Sequence, residues 1–116
     1  MAGISNKPSI KVFYDCDNLT ENSFLNVLLG IEEEGIPYEL EAVHCSDALE
    51  LAHDASINSR LGVGVGISKE GVVLQYEKLD KAAPLFKIKF YQLDLFRKIG
   101  SNAARLVKKM PFKSLD

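Results

Sequence analysis

Apolar residues along this chain recur with two periods. Phe24, Val27, Leu28 and Ile31 fall at i, i+3, i+4 and i+7, the stripe of a core-facing helix. Phe96, Ile99, Ala103, Leu106 and Met110 form a second stripe, predicting a helix from about Gln92 to Lys109 with most of its lysines and arginines outside the stripe. Outside these stripes, SIKVFY (Ser9–Tyr14), YELEAVH (Tyr38–His44), LGVGVGIS (Leu61–Ser68), Val72–Tyr76 and Leu85–Phe90 are rich in strand formers and partly alternate. A further helix is expected from a Ser46/Asp47 cap to about Ser59, with Leu49, Ala52 and Ile57 among its apolar positions. Asn18 and Glu21 have capping-box spacing ahead of the first helix. KEG reads as a tight turn, so the fourth strand should run antiparallel to the third. Strands alternating with helices predict an α/β layered fold with a largely parallel sheet.

Composition narrows the class. At 116 residues, with 47% hydrophobic and 26% charged residues, the expectation is one globular domain, 1–116, with residues 1–8 a flexible N-terminus. The opening MAGISNKPSI has no apolar core of a secretory signal, and no apolar run reaches the roughly 18 residues of a membrane span. The expected compartment is the cytoplasm. Cys16 and Cys45 form no disulfide framework and no zinc spacing.

Net charge is −2, but it is unevenly spread. Residues 1–68 hold three Lys/Arg against eleven Asp/Glu, and residues 69–116 hold eleven against five. A solvated surface or a protein-binding face accounts for this better than a nucleic-acid site, because the basic half has no recognised binding motif and few aromatics for stacking.

Several patterns invite chemistry. Gly62, Gly64 and Gly66 alternate with Val63, Val65 and Ile67, so they are read as one face of a strand that admits close packing. They do not open a helix, as a dinucleotide fingerprint requires, and there is no GxxxxGK[ST] loop for ATP. His44 and Cys45 are adjacent and should face opposite ways, a poor metal pair, with His53 further on. Asp15 and Asp17 sit past the first strand, where open α/β sheets commonly hold ligands, although cap and loop chemistry also explains them.

GIEEEGIP, residues 30–37, breaks a local rule. It places Glu32, Glu33 and Glu34 in the last helical turn, against the negative end of the macrodipole. At about 100° per residue, Glu32 and Glu34 flank the apolar stripe. Glu33 falls nearly opposite, beside Asn26 and Leu29. Two readings remain from the pattern: solubilising charge at a frayed end, or a carboxylate presented to a partner or cation.

Taken together, VFYD (12–15), LLGIEEEGIP, RLGVGVGIS-x-x-G and LFRKIGSNAARLVK resemble the small subunit of the reactivating factor of coenzyme-B12-dependent diol and glycerol dehydratases. The resemblance spans about Ile10 to Pro111. The dehydratase medium subunit has a related core but is longer, and this chain stops soon after Lys109, so the reactivase subunit is the better match.

The resemblance implies a three-layer α/β/α domain with a mixed five-stranded sheet, strand four antiparallel. It implies a non-catalytic subunit of a chaperone that frees damaged cobalamin from inactivated dehydratase by subunit exchange. ATP and ADP would be handled by a large partner subunit, two large with two small. The family's GLEEQG helix end sends an acid to a divalent cation at the large–small interface. Aligned here, that residue is Glu33, with Mg²⁺ or Ca²⁺ as the ion and Asn26 and Leu29 on the same partner face. The third acid of GIEEEG departs from the family pattern. A homodimer of the isolated chain through that face is a further expectation. Two other readings stay open: a short medium-subunit relative contacting cobalamin, and a stand-alone small-molecule-binding domain.

Overall fold

The computed structural model describes residues 8–116. The expected flexible start, residues 1–8, lies outside them apart from Pro8, which is exposed. The strands are β1 (Ile10–Asp15), β2 (Tyr38–Val43), β3 (Val63–Ser68), β4 (Gly71–Tyr76) and β5 (Phe86–Lys89). The helices are α1 (Leu25–Glu33), α2 (Ala48–Asn58) and α3 (Phe96–Lys108), and 3₁₀ turns at Glu21–Phe24 and Leu93–Leu95 lead into α1 and α3. The sheet order is β2-β1-β3-β4-β5. β1 is parallel to both β2 and β3, while β4 is antiparallel to β3 and β5. The predicted mixed α/β sheet with a reversed fourth strand is therefore what forms.

Alternation decides the layers. Ile10 and Val12 of β1 share one face with Val63, Val65, Ile67, Val72, Leu74 and Ile88, and on them rest Val27, Leu28 and Ile31 of α1 with Phe96, Ile99 and Ala103 of α3. Phe13 points the other way, to Leu51 and Ala55 of α2, and Val73 meets Ala48 and Ala52. β3 is buried along its whole length, as a central strand covered on both faces should be.

The glycine strip is close packing, with one correction. A Cβ on Gly64 would lie 2.2 Å from the Ser56 backbone nitrogen, and one on Gly66 2.3 Å from that of Ala52. Both let α2 settle directly onto the sheet. Gly62 does not belong with them: it precedes β3 at φ +74°, against the Glu77 carboxylate. A second close approach, unforeseen in the sequence, joins the helices. A Cβ on Gly30 would meet the Arg97 carbonyl at 2.2 Å, and one on Gly100 the Val27 carbonyl at 2.0 Å.

Other expectations are corrected at the helix ends. The capping box uses Thr20 and Ser23, whereas Asn18 donates its side-chain amide to Asp15 Oδ2 at 2.7 Å. Asp47 caps α2 as expected, accepting from the Leu49 and Glu50 amides, and Glu70 from the β3–β4 turn accepts from Ala48. Ile57 and Met110 are exposed, since Ile57 sits off the buried face of α2 and Met110 lies beyond the end of α3. The segment after α3 folds back: Asn102, fully buried, exchanges two hydrogen bonds with the Lys113 backbone at 2.9 and 2.7 Å. Phe112 then stacks edge-on against Phe86. No helix among the described residues is long and apolar enough to cross a membrane.

Candidate functional site

The acidic end of α1 resolves into three different environments. Glu33 ends the helix, Glu34 is its C-cap, and Gly35 follows at φ +79°, the left-handed residue that stops helices. α3 lies alongside, and successive turns of α1 meet successive turns of α3 because Gly30 and Gly100 bring the backbones together. The cations missing from the end of α1 come from α3.

Glu34 turns inward. Its Oε2 accepts from the Ser101 hydroxyl at 2.6 Å and from Arg105 Nε at 3.1 Å, and its Oε1 accepts from Lys108 Nζ at 2.8 Å. Lys108 also donates to the Glu34 backbone carbonyl at 2.9 Å, satisfying an orphan acceptor at the helix end. Only 10% of the Glu34 side chain is exposed. The Lys108 ammonium first, then the Ser101 hydroxyl and Arg105, pull its carboxyl from 4.5 down to about 2. Glu34 is thus neither frayed surface nor a ligand for an outside cation: it ties α1 to α3. Arg105 extends the tie by donating to the Pro111 carbonyl at 3.1 Å.

Glu32 faces the opposite flank, towards β2. Burial first, then the charges of Glu32 and Glu21, raise the Tyr38 hydroxyl above its ordinary value.

Glu33 points outward, where the helical wheel places it. Its carboxylate pairs with Arg97 Nη1 of α3, while Arg97 Nη2 donates to Asn26 Oδ1 at 3.2 Å. Two oxygen acceptors on one helical face, two turns apart, therefore converge on a single cationic group. Leu29 is half-buried between the helices and their surroundings, and Leu25, 46% exposed, is the more open leucine of α1. Glu33 and Asn26 are thus brought together, and Leu29 contributes less open surface than its angle suggests. Arg97 is the residue the sequence reading missed. Its basic character was visible, but its place opposite Glu33 depends on the two-glycine crossing.

This donor set suits a hard divalent ion: carboxylate and amide oxygens are what Mg²⁺ and Ca²⁺ take, and the guanidinium occupies the position between them. One carboxylate and one amide are too few to hold such an ion tightly.

The three glycines offer no ligand cleft, since Gly64 and Gly66 are filled by α2. Asp15 is buried, with 1% exposure, and accepts from the Asp17 amide and the Asn18 side chain, so loop chemistry explains it. His44 and Cys45 do face different ways: Cys45 packs with Phe13, Leu51 and Ala55, while His44 turns to Asp17 and Cys16.

Comparison with known proteins places the whole chain. The family model for the dehydratase medium subunit matches residues 7–113. The propanediol dehydratase-reactivating factor small subunit of Citrobacter freundii is 46% identical over 89 residues, covering 76% of this chain and 77% of that one. A solved glycerol dehydratase reactivase chain superposes with a TM-score of 0.87 at 30% identity, covering 95% of this chain and all of its own. A diol dehydratase-reactivating factor complexed with ADP and Mg²⁺ superposes with a TM-score of 0.82 at 37% identity, again covering 95% of this chain and all of its own. Together with the whole-length motifs and the mixed five-stranded sheet, these similarities show that the chain belongs to the dehydratase medium subunit family, among the small subunits of diol and glycerol dehydratase-reactivating factors.

Proposed function

We propose that this chain is the non-catalytic small subunit of an ATP-dependent chaperone that reactivates inactivated B12-dependent diol or glycerol dehydratase. It would pair with a large ATPase subunit, two of each, and exchange against a dehydratase subunit so that damaged cobalamin leaves. The observation that carries this reading is the outward Glu33–Asn26 oxygen pair converging on one cationic position, on a chain similar over nearly its whole length to reactivating-factor small subunits. Glu33 is the ligand offered to a Mg²⁺ or Ca²⁺ ion shared with the large subunit, Asn26 and Leu29 border it, and Arg97 holds the carboxylate in the free chain. An effector of this kind shifts its client only if it binds the open state better than the closed one. Cofactor release therefore demands preferential binding to the loosened dehydratase.

Two expectations test the reading. Glu33→Ala should weaken Mg²⁺-dependent assembly with the large subunit by roughly tenfold or more, the scale of one lost charge-assisted ligand contact. Glu32→Ala should leave assembly near wild type. Titration of tagged small subunit against large subunit, with and without Mg²⁺, reads both, and equal loss from the two variants would remove the special role of Glu33. The purified chain alone should turn over no ATP, whereas the reconstituted pair should restore activity to glycerol-inactivated dehydratase. Restoration without the large subunit, or ATP turnover by this chain, would overturn the division of labour.

A further inference from the structure

The C-terminal ends of β1 and β2 carry an arrangement that the interface reading does not use. Asp15 and Val43 are partners in the parallel ladder, and Cys16 continues it by donating its amide to the Val43 carbonyl at 3.1 Å. The register therefore sets Cys16 and His44, the next residue of each strand, side by side. Asp17 follows in a turn pinned by the buried Asp15 carboxylate, which accepts its amide at 3.0 Å. His44 Nδ1 stands 2.9 Å from Asp17 Oδ1 and 3.7 Å from Cys16 Sγ, and the three ligand-type atoms lie within 4.8 Å of one another.

One ring nitrogen faces a carboxylate and a sulfur at once. It has a single proton or a single lone pair to offer, so it cannot satisfy both as a donor. A metal ion in place of that proton satisfies all three. A tetrahedral zinc-type centre, with metal–sulfur near about 2.3 Å and metal–nitrogen or –oxygen about 2.0–2.2 Å, separates its ligand atoms by roughly 3.2–3.7 Å. The present spacings bracket that range. His44 and Asp17 are exposed enough, at 81% and 57% of their side chains, to make the adjustment without moving the strands.

We infer that Cys16, Asp17 and His44 form a binding site for a zinc-class divalent ion, with three ligands from this chain and one position open to water or a further ligand. The mixed sulfur, nitrogen and oxygen set selects borderline ions over Mg²⁺ and Ca²⁺, which take oxygen alone. This site is independent of Glu33 and does not rest on the chaperone assignment. Cys45 takes no part, because its sulfur is directed to the Asp47 carbonyl at 3.8 Å.

Cobalt(II) is the probe, added to the purified, reduced full chain and read by absorbance, followed by competition with Zn²⁺. The expected result is one equivalent of Co²⁺ producing a thiolate-to-metal charge-transfer band in the near ultraviolet, displaced by Zn²⁺ but not by excess Mg²⁺. Cys16→Ser should abolish the band. His44→Ala and Asp17→Asn should weaken binding by at least roughly tenfold, and Cys45→Ser should leave it intact. The proposal is overturned by absence of the band, by its survival in Cys16→Ser, or by its dependence on Cys45. Unaltered Co²⁺ affinity in both His44→Ala and Asp17→Asn overturns it equally.

Discussion

Gly100→Ala should cost at least about 3 kcal/mol and lower the melting temperature by roughly 10–15 °C, although alanine is the better helix former. Propensity alone predicts a gain of about 1 kcal/mol from this exchange in a helix interior. Packing reverses the sign, because the added methyl would lie 2.0 Å from the Val27 carbonyl oxygen, a backbone atom that cannot swing aside. Gly30→Ala meets the Arg97 carbonyl at 2.2 Å and should behave alike. Gly35→Ala is the useful contrast: nothing lies within 4 Å, and only its φ of +79° opposes a side chain, at about 1–2 kcal/mol. Thermal melts of the three variants check the ordering. A Gly100→Ala protein as stable as wild type would mean that the helices separate without loss and that the crossing is not what holds them.

Glu34→Gln is the second large effect. It keeps the shape of the side chain but removes the charge that Ser101, Arg105 and Lys108 surround. Hydrogen bonds to charged groups contribute about 1.5–3 kcal/mol each in favourable cases, and the pairs here share one carboxylate, so a loss of about 2 kcal/mol at neutral pH is expected. The pH profile separates this from a packing defect. The carboxyl titrates at about 2 in the folded chain, below its ordinary 4.5, so its ionised form favours folding. That contribution is complete above the ordinary value and drains as pH falls from there towards about 2. Denaturant unfolding across this window should show wild type and Glu34→Gln converging as the solution becomes more acid. A gap that stays constant would assign the loss to shape instead of charge.

How much of this could be read from the residues varies with the range of the interaction. The period-3.6 stripe of Phe24, Val27, Leu28 and Ile31 and the alternation in β3 are local patterns, and both correspond to buried faces. The KEG turn likewise settled the direction of β4. The α1 entry was misread because Asn18 and Glu21 have the right spacing, yet Asn18 is drawn away by the buried Asp15 carboxylate at the end of β1. The wheel oriented Glu33 correctly, but assigned Glu34 no partner, since its three donors lie 67 to 74 residues away. Arg97, Ser101, Arg105 and Lys108 form one spaced row along α3, a signal that becomes meaningful only once two glycines show which helix the row faces. His44 with Cys16 was invisible for the same reason: the parallel register, not sequence spacing, makes them neighbours.

The Arg97 contact also changes what the proposed cation binding at Glu33 would mean. Since the guanidinium already pairs with the carboxylate, an arriving ion would not fill a vacancy; it would take part in an exchange. A monovalent ion brings no more charge than the group it expels and gives up hydration as well, so the exchange filters for higher charge. Each exchange would also set free a five-donor planar fork beside Asn26. One substitution of cations would therefore alter the surface twice, adding a metal centre and releasing a guanidinium able to seek an acceptor on a partner chain.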